Sequence, residues 1–174
     1  MGLKRHTLTL MRHAKSDWSD DSLSDHDRPL NARGERDAPE MGKRLKALGI
    51  RPSLLLTSTA TRALETCKHV ATAIGFPIEF VHRERSLYLA APTDMLNALS
   101  NEDPAFHHIV IFAHNPGISE LANQLSNGLV GHMPTGAYIA LEANAPDWRS
   151  FAHANIGVIG YDYPKNPNGP IKRL

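Results

Sequence analysis

The chain has 174 residues, the size of a single domain that can bury its own core. Apolar residues make up 41% and charged residues 21%, near the globular average, which excludes disorder, collagen and coiled coil. A formal charge of +1 argues against a polyanion such as nucleic acid as the main partner, yet permits a local cluster of cations facing a small anion.

Thr7, Leu8, Thr9, Leu10 and Met11 alternate, which predicts a first strand ending at Arg12-His13. A polar loop rich in Asp and Ser covers residues 16–29. Asn31 then opens a helix with Ala38, Met41, Leu45 and Leu48 at helical spacing, closed by Gly49. Leu54, Leu55, Leu56 and Thr57 read as a short buried strand. Residues 60–74 read as a helix closed by Gly75, and Ile78 to Val81 as a third strand. Thr93 is expected to cap a helix running through Leu99.

Ile109 to Phe112 is the strongest strand pattern, and Asn115-Pro116-Gly117 turns it into a helix over residues 118–125. Two later strands are expected, around residues 138–141 and 150–159. The tail from about residue 163, with three prolines, is expected to be irregular. Residues 1–174 are thus expected to form one domain: a three-layer α/β/α fold with a mostly parallel central sheet. The lone Cys67 excludes an internal disulfide framework, and no apolar run approaches the ~20 residues that span a bilayer. Neither a membrane nor a leader segment is implied, and the cytoplasm is the expected compartment.

Ligands of parallel sheets bind beyond the carboxyl ends of the strands. Arg12 and His13 follow the first strand, residues 58–62 the second, and His114 the fourth. Three segments thereby deliver Arg12, His13, Arg62 and His114 to one sheet edge. That set suits phosphoryl transfer. Guanidinium forks neutralise the equatorial oxygens, a neutral imidazole can attack phosphorus, and a second imidazole can donate hydrogen bonds. Ser16 could add a neutral donor. A metal site is not supported: there is no His-x-x-x-His with a flanking Glu, and His107-His108 precedes a strand in which neighbouring side chains diverge.

Four segments resemble the histidine phosphatase superfamily, the phosphoglycerate mutase-like fold. Leu10-Met11-Arg12-His13-Ala14-Lys15-Ser16 resembles its Arg-His-Gly signature, and Ala14 with Lys15-Ser16 is typical of the SixA-type phosphohistidine phosphatases. Asp25-His26-Asp27-Arg28-Pro29-Leu30 with Arg33-Gly34 is similar to that branch's Asp-Arg-Pro-Leu segment. Ser58, Arg62, Ala63 and Thr66 match a Ser-x-x-x-Arg-Ala-x-x-Thr motif. Ala113-His114-Asn115-Pro116-Gly117 resembles a Gly-His-Asn-Pro-Gly segment, with Ala113 in place of the glycine.

The resemblance implies His13 as nucleophile and Arg12, Arg62 and His114 as the phosphate pocket. It implies no cofactor and no metal. The proton donor is open: Glu84 is one candidate, and a surface carboxylate paired with Arg83 or Arg85 is the alternative. A phosphohistidine substrate needs such an acid less than an alkyl phosphate does. No capping insert is evident, so an open site acting on a histidine-phosphorylated protein is expected, by a monomer or weak dimer. The alternatives are a small-molecule phosphomonoesterase or mutase of the same fold, and a non-catalytic phosphate-binding module.

Overall fold

The computed structural model describes residues 2–173. In it, β1 (Lys4–Arg12), β2 (Leu54–Thr57), β3 (His82–Arg83) and β4 (His108–Ala113) are joined by β5 (Tyr138–Ala145), β6 (Gly157–Asp162) and β7 (Ile171–Lys172). The seven strands form one sheet in the order β3-β2-β4-β1-β5-β6-β7. β3, β2, β4 and β1 pair in parallel, whereas β5, β6 and β7 are joined by antiparallel pairings. Five of the seven strands therefore point the same way, and the parallel pairings are confined to one half of the sheet.

Side chains alternate across this sheet, and each face is covered. Leu8, Leu10, Leu54, Leu56, Ile109 and Ile111 pack with Met95 and Leu99 of α3 (Pro92–Ser100), Ile118 and Leu121 of α4 (Gly117–Ser126), and Trp148 and Phe151 of α5 (Trp148–Phe151). On the other face Met11, Leu55, Val110 and Phe112 pack with Met41 and Leu45 of α1 (Ala32–Ala47) and Cys67 and Val70 of α2 (Thr61–Ile74). The result is the expected α/β/α sandwich.

The helix boundaries follow their capping chemistry. The Asn31 side chain accepts from the Gly34 amide at the start of α1, and Gly49 (φ 87°) follows its end. Gly75 (φ 78°) closes α2 in the left-handed conformation.

Four local expectations need correction. Ile78–Phe80 is a 3-10 turn behind Pro77, with Ile78 and Phe80 exposed; of the expected strand only Val81 packs against the sheet face, and only His82–Arg83 pairs. Thr93 lies inside α3; Pro92 opens that helix, and Asp94 accepts from the Ala91 amide. Asp147 caps the short α5 by accepting from the Ser150 amide, so residues 150–156 are not strand and β6 begins only at Gly157. The tail is not irregular throughout: Asn166 bridges Asp162 and the Gly169 carbonyl, closing a hairpin in which β7 pairs with β6.

Two glycines bring helix starts against the loops beyond the sheet edge. A Cβ on Gly34 would collide with the Lys15 carbonyl oxygen, and one on Gly117 with that of Ala90. Both obstacles are backbone and cannot rotate away. Gly117→Ala is expected to destabilise the fold by about 1–3 kcal/mol, the usual cost of overpacking. A urea midpoint unchanged from wild type would contradict this packing.

Candidate active site

β1, β4 and β2 are adjacent and parallel, so their carboxyl ends open on one edge of the sheet. There Arg12, His13, Arg62 and His114 line a single pocket of about 210 Å³. Lys15, Ser16, Trp18, Arg28, Leu89, Asn115 and Thr135 complete its wall. The His13 and His114 ring centroids are 5.3 Å apart. All four residues expected from the sequence as the phosphate set are thus brought together, and the buried Ser16 with them.

Each side chain is held by a specific contact. The His13 amide donates to the Ala113 carbonyl, and the Gly136 amide donates to the His13 carbonyl. His13 Nδ1 lies 2.7 Å from the Ala14 carbonyl oxygen, an acceptor that requires the proton on Nδ1. The lone pair is therefore on Nε2. Arg12 donates through Nη1 to the Met133 carbonyl, which also receives the Asn115 side-chain amide.

The motif of Ser58, Arg62 and Thr66 has a structural meaning. Ser58 follows β2, and its Oγ accepts from the Ala60 amide and meets His114 Nε2 at 2.7 Å. We assign the hydroxyl proton to that second contact, which puts the proton of a neutral His114 on Nδ1. Thr66, one turn along α2 from Arg62, donates to the Arg62 carbonyl and accepts from the Ala14 amide. One motif thus orients the second imidazole, supplies the second guanidinium and fixes the loop after His13.

Arg12 Nε, Arg62 Nε, Arg28 Nε and His114 Nδ1 are buried without a partner. Orphaned buried donors are costly in a folded protein, and four around one small pocket mark it as a site for an anion. A larger cavity of about 290 Å³ lies between α1 and the C-terminal hairpin. Its buried carboxylate, Asp162, is satisfied by Arg44, Asn166 and the Tyr163 amide.

Burial, reinforced by the neighbouring His114, Arg62 and Arg12, holds His13 down to about 3, against the Ala14 hydrogen bond, which raises it. Burial and Arg62 hold His114 down to about 3, with Asp25 opposing. Both rings are neutral at neutral pH. Below pH 6.5 the unfolded chain takes up protons that these folded-state imidazoles refuse, so stability falls with pH from 6.5 towards 3. Each group costs about 1.4 kcal/mol per pH unit in that window. Urea unfolding at pH 5 should therefore show several kcal/mol less stability than at pH 7, a slope that His114→Asn makes shallower. Equal stability at the two pH values would contradict buried, neutral imidazoles.

Glu84 is placed elsewhere. Its carboxylate accepts from the Ser86 amide and hydroxyl, and it lines a separate depression with Asp94, Asn97 and Glu102. Nor is it paired with Arg83 or Arg85 among the described residues. The acidic residue next to the site is Asp25. Its carbonyl and carboxylate accept from both Nη atoms of Arg62, at 2.6 and 3.0 Å, and the carboxylate also accepts from Arg28 and the Tyr88 hydroxyl. Burial pushes the Asp25 carboxyl up, but Tyr88, Arg62 and Arg28 outweigh it and hold it at about 2. The sequence offered one signal for this residue, its place at the head of the segment ending in Arg28-Pro29-Leu30.

Comparison with known proteins bears on the family and the fold. Residues 8–88 match the histidine phosphatase superfamily (branch 1). An uncharacterized chloroplastic protein of Arabidopsis thaliana is 40% identical over 159 residues, covering 86% of this chain and 72% of the relative. An uncharacterized protein of Mycobacterium tuberculosis is 38% identical over 165 residues, covering 89% of this chain and 100% of the relative. Among solved structures, the protein histidine phosphatase SixA complexed with tungstate superposes with a TM-score of 0.73 at 22% identity, over 91% of this chain and 97% of that one. The chain belongs to the histidine phosphatase superfamily. By class it is a phosphatase. Among the described residues no helix is long and apolar enough to cross a membrane.

Proposed function

We propose that the protein hydrolyses phosphohistidine on a protein partner through a phosphorylated His13. The observation that carries this reading is the buried, neutral His13. With its Nδ1 committed to Ala14, Nε2 is the free nucleophilic atom in a pocket where Arg12 Nε, Arg62 Nε, Arg28 Nε and His114 Nδ1 lack partners.

In the first step the Nε2 lone pair attacks phosphorus while the bond to the leaving group breaks, its electron pair departing with that group. Arg12, Arg62 and His114 hold the three equatorial oxygens, where charge is densest. In the second step water attacks phosphorus, the P–N bond to His13 breaks, and orthophosphate leaves with the imidazole restored. The residues of one chain build the whole pocket, and the steps call on no metal or cofactor.

The substrate class follows from acid chemistry. The described residues that line the pocket include no carboxylic acid; Asp25 stays ionised and Glu84 lies elsewhere. An alkoxide leaving group would need a proton from such an acid, whereas the imidazole of phosphohistidine is a better leaving group that water can protonate. The likeness in fold to SixA, a protein histidine phosphatase, supports the same substrate class.

The test is a substrate panel with chelator present. A phosphohistidine-bearing protein should be hydrolysed with a kcat/KM at least a hundredfold above those of sugar and alkyl phosphates. Preference for the esters would overturn the substrate class, in favour of a small-molecule phosphatase. Loss of activity to chelator would overturn the metal-free mechanism.

A further inference from the structure

Two large apolar side chains stand in the wall of this polar pocket: Trp18 is 66% exposed and Leu89 is 57% exposed. A phosphoryl group gains nothing from either, so they concern what the phosphoryl group is attached to. We propose that Trp18 and Leu89 form the seat for the leaving group, selecting a planar ring such as the imidazole of phosphohistidine; this deepens the phosphohistidine reading and rests on it.

Both residues are held by the site itself. The Arg28 guanidinium lies 3.4 Å from the centroid of the Trp18 ring, covering one indole face. Arg28 is tied in turn to Asp25, the carboxylate that grips Arg62. The plane of the indole is therefore set by the same contacts that set a phosphate-binding arginine, and the largely exposed side chain leaves ring surface available to stack on a flat ring.

Leu89 has a φ of 50°, a left-handed conformation that a leucine adopts only under constraint. The constraint comes from both sides. Tyr88 is hydrogen-bonded to Asp25, and the Ala90 carbonyl lies against Gly117 at the start of α4, too close to admit a Cβ there. This disfavoured backbone carries an exposed leucine at the pocket wall, where a glycine would fit the backbone better. Charge points the same way: Asp17, Asp20 and Asp21 lie near Trp18 in sequence, with Asp20 and Asp21 exposed, so the loop carries negative charge that suits a neutral or cationic imidazole-bearing segment better than a polyanionic small molecule.

The test compares two P–N substrates that differ in the ring: a phosphohistidine peptide and phosphoramidate, whose leaving group is ammonia. Trp18→Ala and Leu89→Gly should each lower kcat/KM for the peptide at least tenfold while leaving that for phosphoramidate within twofold and vanadate inhibition unchanged. Trp18→Phe should retain most peptide activity. Leu89→Gly should not lower Tm, because it relieves the backbone. Parallel loss on both substrates, or no loss on either, would overturn the seat. If wild type hydrolyses neither substrate, the phosphohistidine reading itself is wrong and the seat falls with it.

Discussion

His13→Ala is expected to abolish turnover, by on the order of 10⁴-fold or more, the scale seen when a nucleophile is removed. Arg12, Arg62 and His114 remain in the pocket wall, so the variant should still bind orthophosphate by calorimetry. Rapid quench with a labelled phosphodonor should trap an acid-labile phosphoenzyme on wild type and none on the variant. A phosphoenzyme that persists without His13 would move the nucleophile to another residue. Absence of one on wild type would favour a non-catalytic phosphate-binding module.

Arg62→Ala is expected to cost about 2–4 kcal/mol of transition-state stabilisation, roughly thirty- to a thousandfold in kcat, as for removal of one preorganised electrostatic donor. Two effects combine. The pocket loses a guanidinium that is only 3% exposed, and Asp25 loses the buried partner that neutralises it. The carboxylate, now facing the pocket less well neutralised, should also repel the incoming anion. Arg62→Lys keeps the charge but not the fork that engages the Asp25 carbonyl and carboxylate together, so it should recover only part of the loss. Near-wild-type kcat in the alanine variant would contradict the role given to Arg62.

The convergence of the site was legible because it depends on strand direction alone. Once residues 7–12, 54–57 and 108–113 are read as neighbouring parallel strands, Arg12-His13, Arg62 and His114 must share an edge. The helix ends were legible for a similar reason, since Asn31, Gly49 and Gly75 act through local backbone geometry.

What escaped depends on chain paths that no local pattern encodes. Asp25 is one of several acidic residues in a polar loop, and only the tertiary course of residues 16–30 lays it on Arg62. That course is set by the Ser16–Leu30 bridge and by the Asn31 amide donating to the Lys15 carbonyl. The Met133 carbonyl, which anchors Arg12 and Asn115, contributes only its backbone and leaves no mark in side-chain patterns. The mistaken strand at residues 78–81 has the opposite cause: an alternating pattern whose apolar Ile78 and Phe80 end up exposed, behind a proline that begins a turn.

The most direct test is a crystal structure with orthovanadate. Vanadium should sit within bonding distance of His13 Nε2, with its equatorial oxygens on Arg12, Arg62 and His114 Nδ1. Vanadate bound away from His13, or held there with Arg62 or His114 out of hydrogen-bond reach, would contradict a shared oxyanion pocket and the phosphoryl-transfer chemistry built on it.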